Sequence, residues 1–301
     1  MLSLHTNAAA LSTQNSLSST QKALSSSMTR LGTGFRVNSA MDDAAGLQIA
    51  TRLNAQARGM AVAQRNTQNG ISMLQTGEGA LNEVSNILLR MKDLATEGSN
   101  ATSTAADKKA MQAEFDSLGR ELANIMDNTS FGGEKLFARG VAASNVTGSS
   151  AKFASGTGMS FQIGASASET MAVDVSAIVG ALANDAGDLG KISATYKTTA
   201  TAATTGTEVG LTATITDLDS ALAKVGELRS AMGAAANRLD HVYNNLQNIS
   251  TNTQAAKGRI MDTDYATESS HMTTKQMLLQ SGTAMLKQSN SMSGLVMSLL
   301  G

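Results

Sequence analysis

The chain has 301 residues, a formal net charge of −1 and no proline, cysteine or tryptophan, and aromatic residues make up only 3% of it. This excludes a disulfide framework and thiol chemistry, offers no basic surface for nucleic acid, and leaves too few rings for a wide globular core. The lack of proline, which costs about 3 kcal/mol inside a helix, suits long unbroken helices instead.

The opening residues, Met1-Leu2-Ser3-Leu4-His5-Thr6-Asn7, have no basic stretch followed by an apolar one, so no secretory signal peptide is expected. No apolar run approaches the ~20 residues of a membrane span, so no membrane insertion is expected either. From Leu4 to Phe35 the apolar residues are sparse but spaced, with Leu17, Leu24 and Leu31 recurring every seven. The rest of that stretch is largely Ser, Thr, Gln and Asn, which form helices weakly. So thin a stripe predicts a segment that is disordered alone and helical against a partner.

Gly32-Thr33-Gly34 breaks the pattern, and Asp42-Asp43 marks a helix N-terminus through the macrodipole. Leu53, Met60, Thr67, Leu74, Leu81, Leu88 and Ala95 then recur every seven, with Val84 and Met91 completing a seam, up to a stop near Gly98-Ser99-Asn100. A third helix is predicted from Asp107 to about Asn128, with Met111, Phe115, Leu118, Leu122, Ile125 and Met126 on one face, closed by Ser130-Phe131-Gly132-Gly133.

Residues 140–210 are rich in Gly, Ala, Ser and Thr and carry no heptads. Within them Met159-Ser160-Phe161-Gln162-Ile163-Gly164 and Glu169-Thr170-Met171-Ala172-Val173-Asp174-Val175 alternate apolar and polar, which predicts a β-hairpin. The remainder reads as a small irregular insert or a few short elements.

Leu218, Ala221, Val225, Leu228, Met232, Ala235, Leu239, Val242, Leu246, Ile249, Thr253, Ala256 and Ile260 alternate steps of three and four without a slip. That is an a/d pattern over about six heptads, on a helix of roughly 60 Å. It has one narrow seam and needs partner helices. After Asp262-Thr263-Asp264-Tyr265 a last helix covers roughly residues 266–300. Met272, Leu279, Leu286 and Leu300 form one apolar column, and Leu278, Met285, Met292 and Leu299 an adjacent one. A stripe of that width at a chain end signals association.

The fold class expected is therefore mainly α: long heptad-patterned helices forming a coiled-coil or helical-bundle rod, with a small insert in the middle that contains the β-hairpin. The domains read as 1–41 together with 262–301, an inner-core helix pair; 42–140 and 211–261, a helical rod; and 141–210, a solvent-exposed variable insert.

Leu31-Gly32-Thr33-Gly34-Phe35-Arg36-Val37-Asn38-Ser39-Ala40-Met41-Asp42-Asp43-Ala44-Ala45-Gly46 closely resembles the N-terminal signature of bacterial flagellins, as does Gln75-Thr76-Gly77-Glu78-Gly79-Ala80-Leu81-Asn82-Glu83. Asn237-Arg238-Leu239 and Ile260-Met261-Asp262-Thr263-Asp264-Tyr265-Ala266-Thr267-Glu268 resemble the C-terminal one. The likeness covers roughly residues 1–140 and 210–301. The middle is shorter than in members with large outer domains, and Leu2-Ser3-Leu4-His5 resembles the start of lateral (swarming) flagellins.

The resemblance implies a structural subunit that polymerises with copies of itself into the extracellular flagellar filament that drives motility. It also implies secretion in an unfolded state by the flagellar type III apparatus, with a flagellin export chaperone, the filament cap and the hook–filament junction proteins as further partners. The competing reading is a hook–filament junction protein or another coiled-coil protein exported by the same apparatus. Filament-core packing falls to Leu17, Leu24, Leu31, Leu278, Leu279, Met285, Leu286, Met292, Leu299 and Leu300. Leu89-Arg90-Met91-Lys92-Asp93-Leu94 resembles the flagellin segment bound by the host innate immune receptor TLR5, with Arg90, Leu94 and Glu114 at the positions of the contact residues.

No enzyme is expected. His5, His241 and His271 fall in three separate segments and do not form a nucleophile–base set. Asp262-Thr263-Asp264 reads as a helix junction with a cap, not a metal loop, and Gly32-x-Gly34 and Gly77-x-Gly79 lack the strand and third glycine of a dinucleotide site, so they read as bends or packing points. Neither a cofactor nor a metal is predicted.

Overall fold

The computed structural model describes residues 7–137, 151–154, 158–183, 187–197 and 208–300, with side chains as far as Ser291. The helices are α1 (Ala8–Thr33), α2 (Ala44–Gly98), α3 (Ala105–Asn128), α4 (Ser176–Ala183), α5 (Asp188–Ile192), α6 (Thr212–Met261) and α7 (Tyr265–Leu300). The strands are β1 (Ser130–Phe131), β2 (Glu134–Lys135), β3 (Met159–Gln162) and β4 (Thr170–Val173), forming two antiparallel pairs, β1 with β2 and β3 with β4. The long helices and the central hairpin fall where the periodicity puts them. The chain divides into two compact units: residues 1–57 with 251–301, and residues 58–250.

Helix ends are set by local chemistry. The Ala10 N–H donates to the Asn7 side chain at 3.0 Å and starts α1. At its other end Gly34, at φ 76°, donates back to the Arg30 carbonyl at 2.9 Å, a left-handed stop that glycine adopts at least cost. Ahead of α2 the Gly46 N–H donates to the Asp43 carboxylate at 2.8 Å. A capping box opens α3: the Asp107 N–H donates to the Thr104 hydroxyl at 3.3 Å, and the Thr104 N–H to the Asp107 carboxylate at 3.0 Å.

The unit of residues 58–250 holds the core. Leu74, Leu81, Leu88 and Met91 of α2 meet Phe115, Leu122 and Met126 of α3 and the α6 seam from Leu218 to Leu239, all buried. Six-heptad regularity does not mean uniform burial, however: Val242 is half-buried and Ile249 is exposed. Next to that stretch the pairing becomes polar, with the Gln64 amide donating to Gln247 at 2.9 Å.

The middle segment is less irregular than its composition suggests. Phe153, Val179, Ile192 and Tyr196 sit in the same core as the long helices. The Phe137 and Phe153 rings lie 5.2 Å apart, and the buried Tyr196 hydroxyl donates to the Ala183 carbonyl at 2.9 Å. Two glycines of α2 receive this segment: a Cβ at Gly70 would lie 2.9 Å from the Phe161 ring, and one at Gly77 2.7 Å from the Phe153 ring. The Gly77 motif is thus a packing notch. Of the two readings left open for the rest of 140–210, α4 and α5 are the few short elements, and the turn that closes α3 is part of the β1–β2 hairpin, which the sequence reading did not name. That hairpin turns on Gly132 and Gly133, at φ 61° and 87°, the two positive angles that a two-residue turn of this hand requires.

In the other unit α1 and α7 pack against each other. A helical partner for the thin stripe of α1 is therefore present in its own chain. Lys257 of α6 donates to the Asn54 side chain of α2 at 3.1 Å, and Val37, Ala50 and Ala57 are buried.

Candidate assembly and recognition surfaces

The α1–α7 pair is tied at both ends by polar contacts. Asn7 donates its side-chain amide to the Ser289 carbonyl at 3.2 Å. At the other end the Arg36 N–H donates to the Met261 carbonyl at 2.6 Å, the Thr263 N–H donates to the Gly34 carbonyl at 3.0 Å, and the Arg36 guanidinium donates to the Ile260 carbonyl at 2.9 Å. Arg30 lies 3.9 Å from the mostly buried Glu268. Between these ends the two helices pack side by side. Gly282 lets α1 approach, since a Cβ there would sit 3.2 Å from the Leu17 methyl.

Two helices can cover only part of each other's stripes. Leu17, Leu24, Leu31, Leu279 and Leu286 are half-buried, while Leu278 keeps 51% and Met285 63% of their surface in water. A shallow groove lined by Leu17, Leu278, Gly282 and Met285, with the hydroxyl side chains of Ser12, Thr13, Ser16, Thr20 and Ser281, runs between the helices. Met292, Leu299 and Leu300 have side chains outside the described residues. Each large apolar side chain left in water forgoes about 1.5–3 kcal/mol of burial, so this face has the make-up of a contact surface.

On the second surface, the exposed Arg90 of α2 donates through Nε at 2.9 Å and Nη2 at 2.7 Å to one carboxylate oxygen of Glu114 on α3. These hydrogen bonds and the carboxylate charge raise the Arg90 pKa above its ordinary value. Arg90 and Glu114 are thus brought together, but Leu94 is not with them: it is 2% exposed, in the core beside Met91 and Ala95. The exposed apolar neighbour of Arg90 is Leu89. Periodicity carries this distinction, because Leu94 is three residues past the core position Met91 and Leu89 falls off that column.

The described histidines do not converge. His241 and His271 are exposed on different helices, and His5 lies outside the described residues. Among the described residues no group of three or more His, Cys, Asp or Glu could hold a metal ion. Asp264 is the cap of α7: the Ala266 N–H donates to it at 3.0 Å and the Thr267 hydroxyl at 2.8 Å. Asp42 accepts the Asn38 and Ser39 N–H groups at 3.1 and 2.9 Å and holds the turn before α2. Sequence reading passed over a clasp on α3. Gln112 there donates to both Asp116 and Glu208, at 2.8 and 2.7 Å, and accepts the Val209 N–H at 2.8 Å. A lone Gln on a half-buried face gives no periodic signal.

Residues 4–142 match the model of the bacterial flagellin N-terminal helical region, and residues 215–300 that of the C-terminal helical region; β3, β4, α4 and α5 fall between the two. Among curated proteins the chain is similar to flagellin A of Vibrio anguillarum, 34% identical over 377 aligned positions covering 99% of each chain. It is also similar to polar flagellin A of Vibrio parahaemolyticus serotype O3:K6, 32% identical with 100% of both chains covered. Among solved structures the crystal structure of Bacillus cereus flagellin is 31% identical, covers 64% of this chain and 94% of its own, and superposes with a TM-score of 0.42.

Proposed function

Since the chain belongs to the bacterial flagellin family, we propose that its filament contacts are made by the apolar stripes of α1 and α7. As a flagellin it is a structural, self-polymerising subunit of the extracellular flagellar filament and not an enzyme. The observation that carries the reading is the exposure of Leu278 and Met285, on a helix that packs against the thin stripe of α1. Copies joined through non-closing contacts build a helical polymer. In this reading Leu17, Leu24, Leu31, Leu278, Leu279, Met285 and Leu286, with Met292, Leu299 and Leu300, complete their burial against neighbouring copies. Segments 1–41 and 262–301 carry the filament core, 42–140 and 211–261 the helical packing, and 141–210, anchored in the core through Phe153, Val179, Ile192 and Tyr196, the variable segment.

The same chemistry supports the remaining partners. An apolar, methionine-rich α7 needs cover before assembly, which a flagellin export chaperone supplies, since methionine adapts its shape to more than one partner. A chain without cysteine has no disulfide to trap it while it is threaded unfolded through the flagellar type III apparatus, and the filament cap and hook–filament junction proteins meet the same terminal helices. The Arg90–Glu114 pair, exposed beside Leu89, suits recognition of the monomer by TLR5, because an arginine next to an apolar side chain is a common binding anchor. Leu94 then acts from the core by holding the position of that turn.

Seeded elongation tests the reading. The full chain is expected to lengthen filament fragments, and a chain without its first thirty and last thirty residues is expected not to. Growth by the truncated chain would overturn the assignment of α1 and α7, and a full chain that caps seeds without extending them would point to a junction protein.

A further inference from the structure

The methionines are partitioned between the two units. Among those whose side chains are described, the buried ones, such as Met91, Met126 and Met232, all lie within residues 58–250. The exposed ones, Met28, Met41, Met277 and Met285, all lie in the unit of the chain ends. Met277 keeps 59% of its surface in water, and Met285 lines the groove beside Leu17 and Leu278. With no cysteine in the chain, the thioethers of these four are the accessible oxidisable sulfurs among the described residues.

We propose that Met277 and Met285 are sites of reversible oxidation by extracellular peroxide, and that the sulfoxide form cannot add to a filament. This rests on the reading of α7 as an assembly surface. The thioether sulfur attacks one peroxide oxygen; the S–O bond forms as the O–O bond breaks, a proton passes to the departing oxygen, and water leaves. Sulfur is oxidised by two electrons and the peroxide reduced by two. The product replaces a flexible apolar group by a polar one with a strong acceptor oxygen. Burying that oxygen against Leu17 and Leu278 without a donor is unfavourable, and of the hydroxyls that also line the groove Thr13 and Thr20 already donate to backbone carbonyls, so that only Ser12, Ser16 and Ser281 could turn toward it. The unassembled subunit is the vulnerable form. Met91, Met126 and Met232, closed in the core, are spared, so the rest of the fold survives the modification.

The test uses the full-length chain, mild hydrogen peroxide, peptide mapping of sulfoxides and seeded elongation. The untreated chain must elongate, which checks the filament reading separately. After treatment, sulfoxide is expected at 277 and 285 but not at 91, 126 or 232, with helix content kept and the elongation rate down at least tenfold. The double variant Met277→Leu with Met285→Leu, read against its own untreated rate, should keep more than half of that rate after oxidation, whereas Met41→Leu, which changes the most exposed methionine of the described residues at 97% but lies off the stripe, should protect nothing. Undiminished growth of the oxidised chain, equal sensitivity of the double variant, or full protection by Met41→Leu would each overturn the proposal. Should the double variant fail to elongate before oxidation, methionine sulfoxide reductase with a thiol reductant decides on the wild-type chain. Recovery of growth in step with loss of sulfoxide at 277 and 285 supports the proposal, and recovery without it overturns it.

Discussion

Leu228 of α6 and Leu278 of α7 both stand on a seven-residue column, yet the first is fully buried and the second is half in water. In the unit of residues 58–250 the seam of α6 meets α2, α3 and the middle segment, and its side chains are closed off within one chain. In the unit of the chain ends α7 packs against the thin stripe of α1. A heptad pattern therefore states that a helix has an apolar side. Whether one chain or several supply the cover depends on how many partner stripes the same chain brings to that place, which is a question of supply and not of periodicity.

The largest effect expected on this comparison comes from truncating one residue of each kind. Leu88→Ala leaves a cavity in the closed core and should cost about 2–5 kcal/mol in urea unfolding. Leu278→Ala should leave the unfolding midpoint of the monomer almost unchanged while slowing seeded elongation several-fold. Equal destabilisation by the two would mean that α7 is already buried within the monomer.

The next largest effect comes from two glycines of α2 only two residues apart. At Gly77 a Cβ meets the Phe153 ring and lies 2.5 Å from the Met232 methyl, whereas at Gly79 nothing lies within 4 Å. Gly79→Ala should therefore stabilise by about 0.5–1 kcal/mol, the ordinary gain on replacing a helical glycine. Gly77→Ala should lose that gain to overpacking and come out about 1–2 kcal/mol worse. A stabilising Gly77→Ala would show that the middle segment does not need its notch.

What the sequence disclosed follows the same division. The long helices, their core residues and the β3–β4 hairpin were legible because periods near 3.5 and 2 persist over many residues. The places of the short α4 and α5 and the pairing of β1 with β2 across Gly132-Gly133 were not, because a few residues carry no period and, for α4 and α5, burial depends on Phe153 and Tyr196 arriving from elsewhere. Within the recognition surface the Arg90–Glu114 pairing joins residues 24 apart in sequence, which no spacing rule yields, whereas the inward direction of Leu94 was available from the core column.

Acid provides a finer distinction. Asp42, through the Ser39 and Asn38 N–H groups, Asp107, through the Thr104 hydroxyl and N–H, and Asp264, through the Thr267 hydroxyl and the Ala266 and Thr267 N–H groups, are all held below the ordinary carboxylate value. A depressed folded-state pKa contributes stability above the unfolded value near ~3.9 and loses it as pH falls through the folded one. Urea midpoints should thus hold from neutral pH down to about 5 and fall below about 4. Two of these carboxylates, Asp42 and Asp264, belong to the unit of the chain ends, so its helices should fray first, as read by acid-induced loss of amide protection. Asp264→Asn, which keeps a capping side chain, should weaken the acid dependence at the start of α7.

The smallest effect on the fold belongs to Arg90. Its pair with Glu114 is solvent-exposed on both sides, and such pairs add little to stability because water and salt screen them and ordering two long side chains offsets the attraction. Arg90→Ala should leave the unfolding midpoint where it is and, in a receptor reporter assay with monomer, reduce activation at least tenfold. Leu94→Ala must lose activation together with stability, since its side chain lies in the core. That pairing of outcomes separates a residue that touches the receptor from one that holds the surface in place. If Arg90→Ala left activation unchanged while Leu94→Ala abolished it, the receptor would be reading the fold of this region and not the guanidinium.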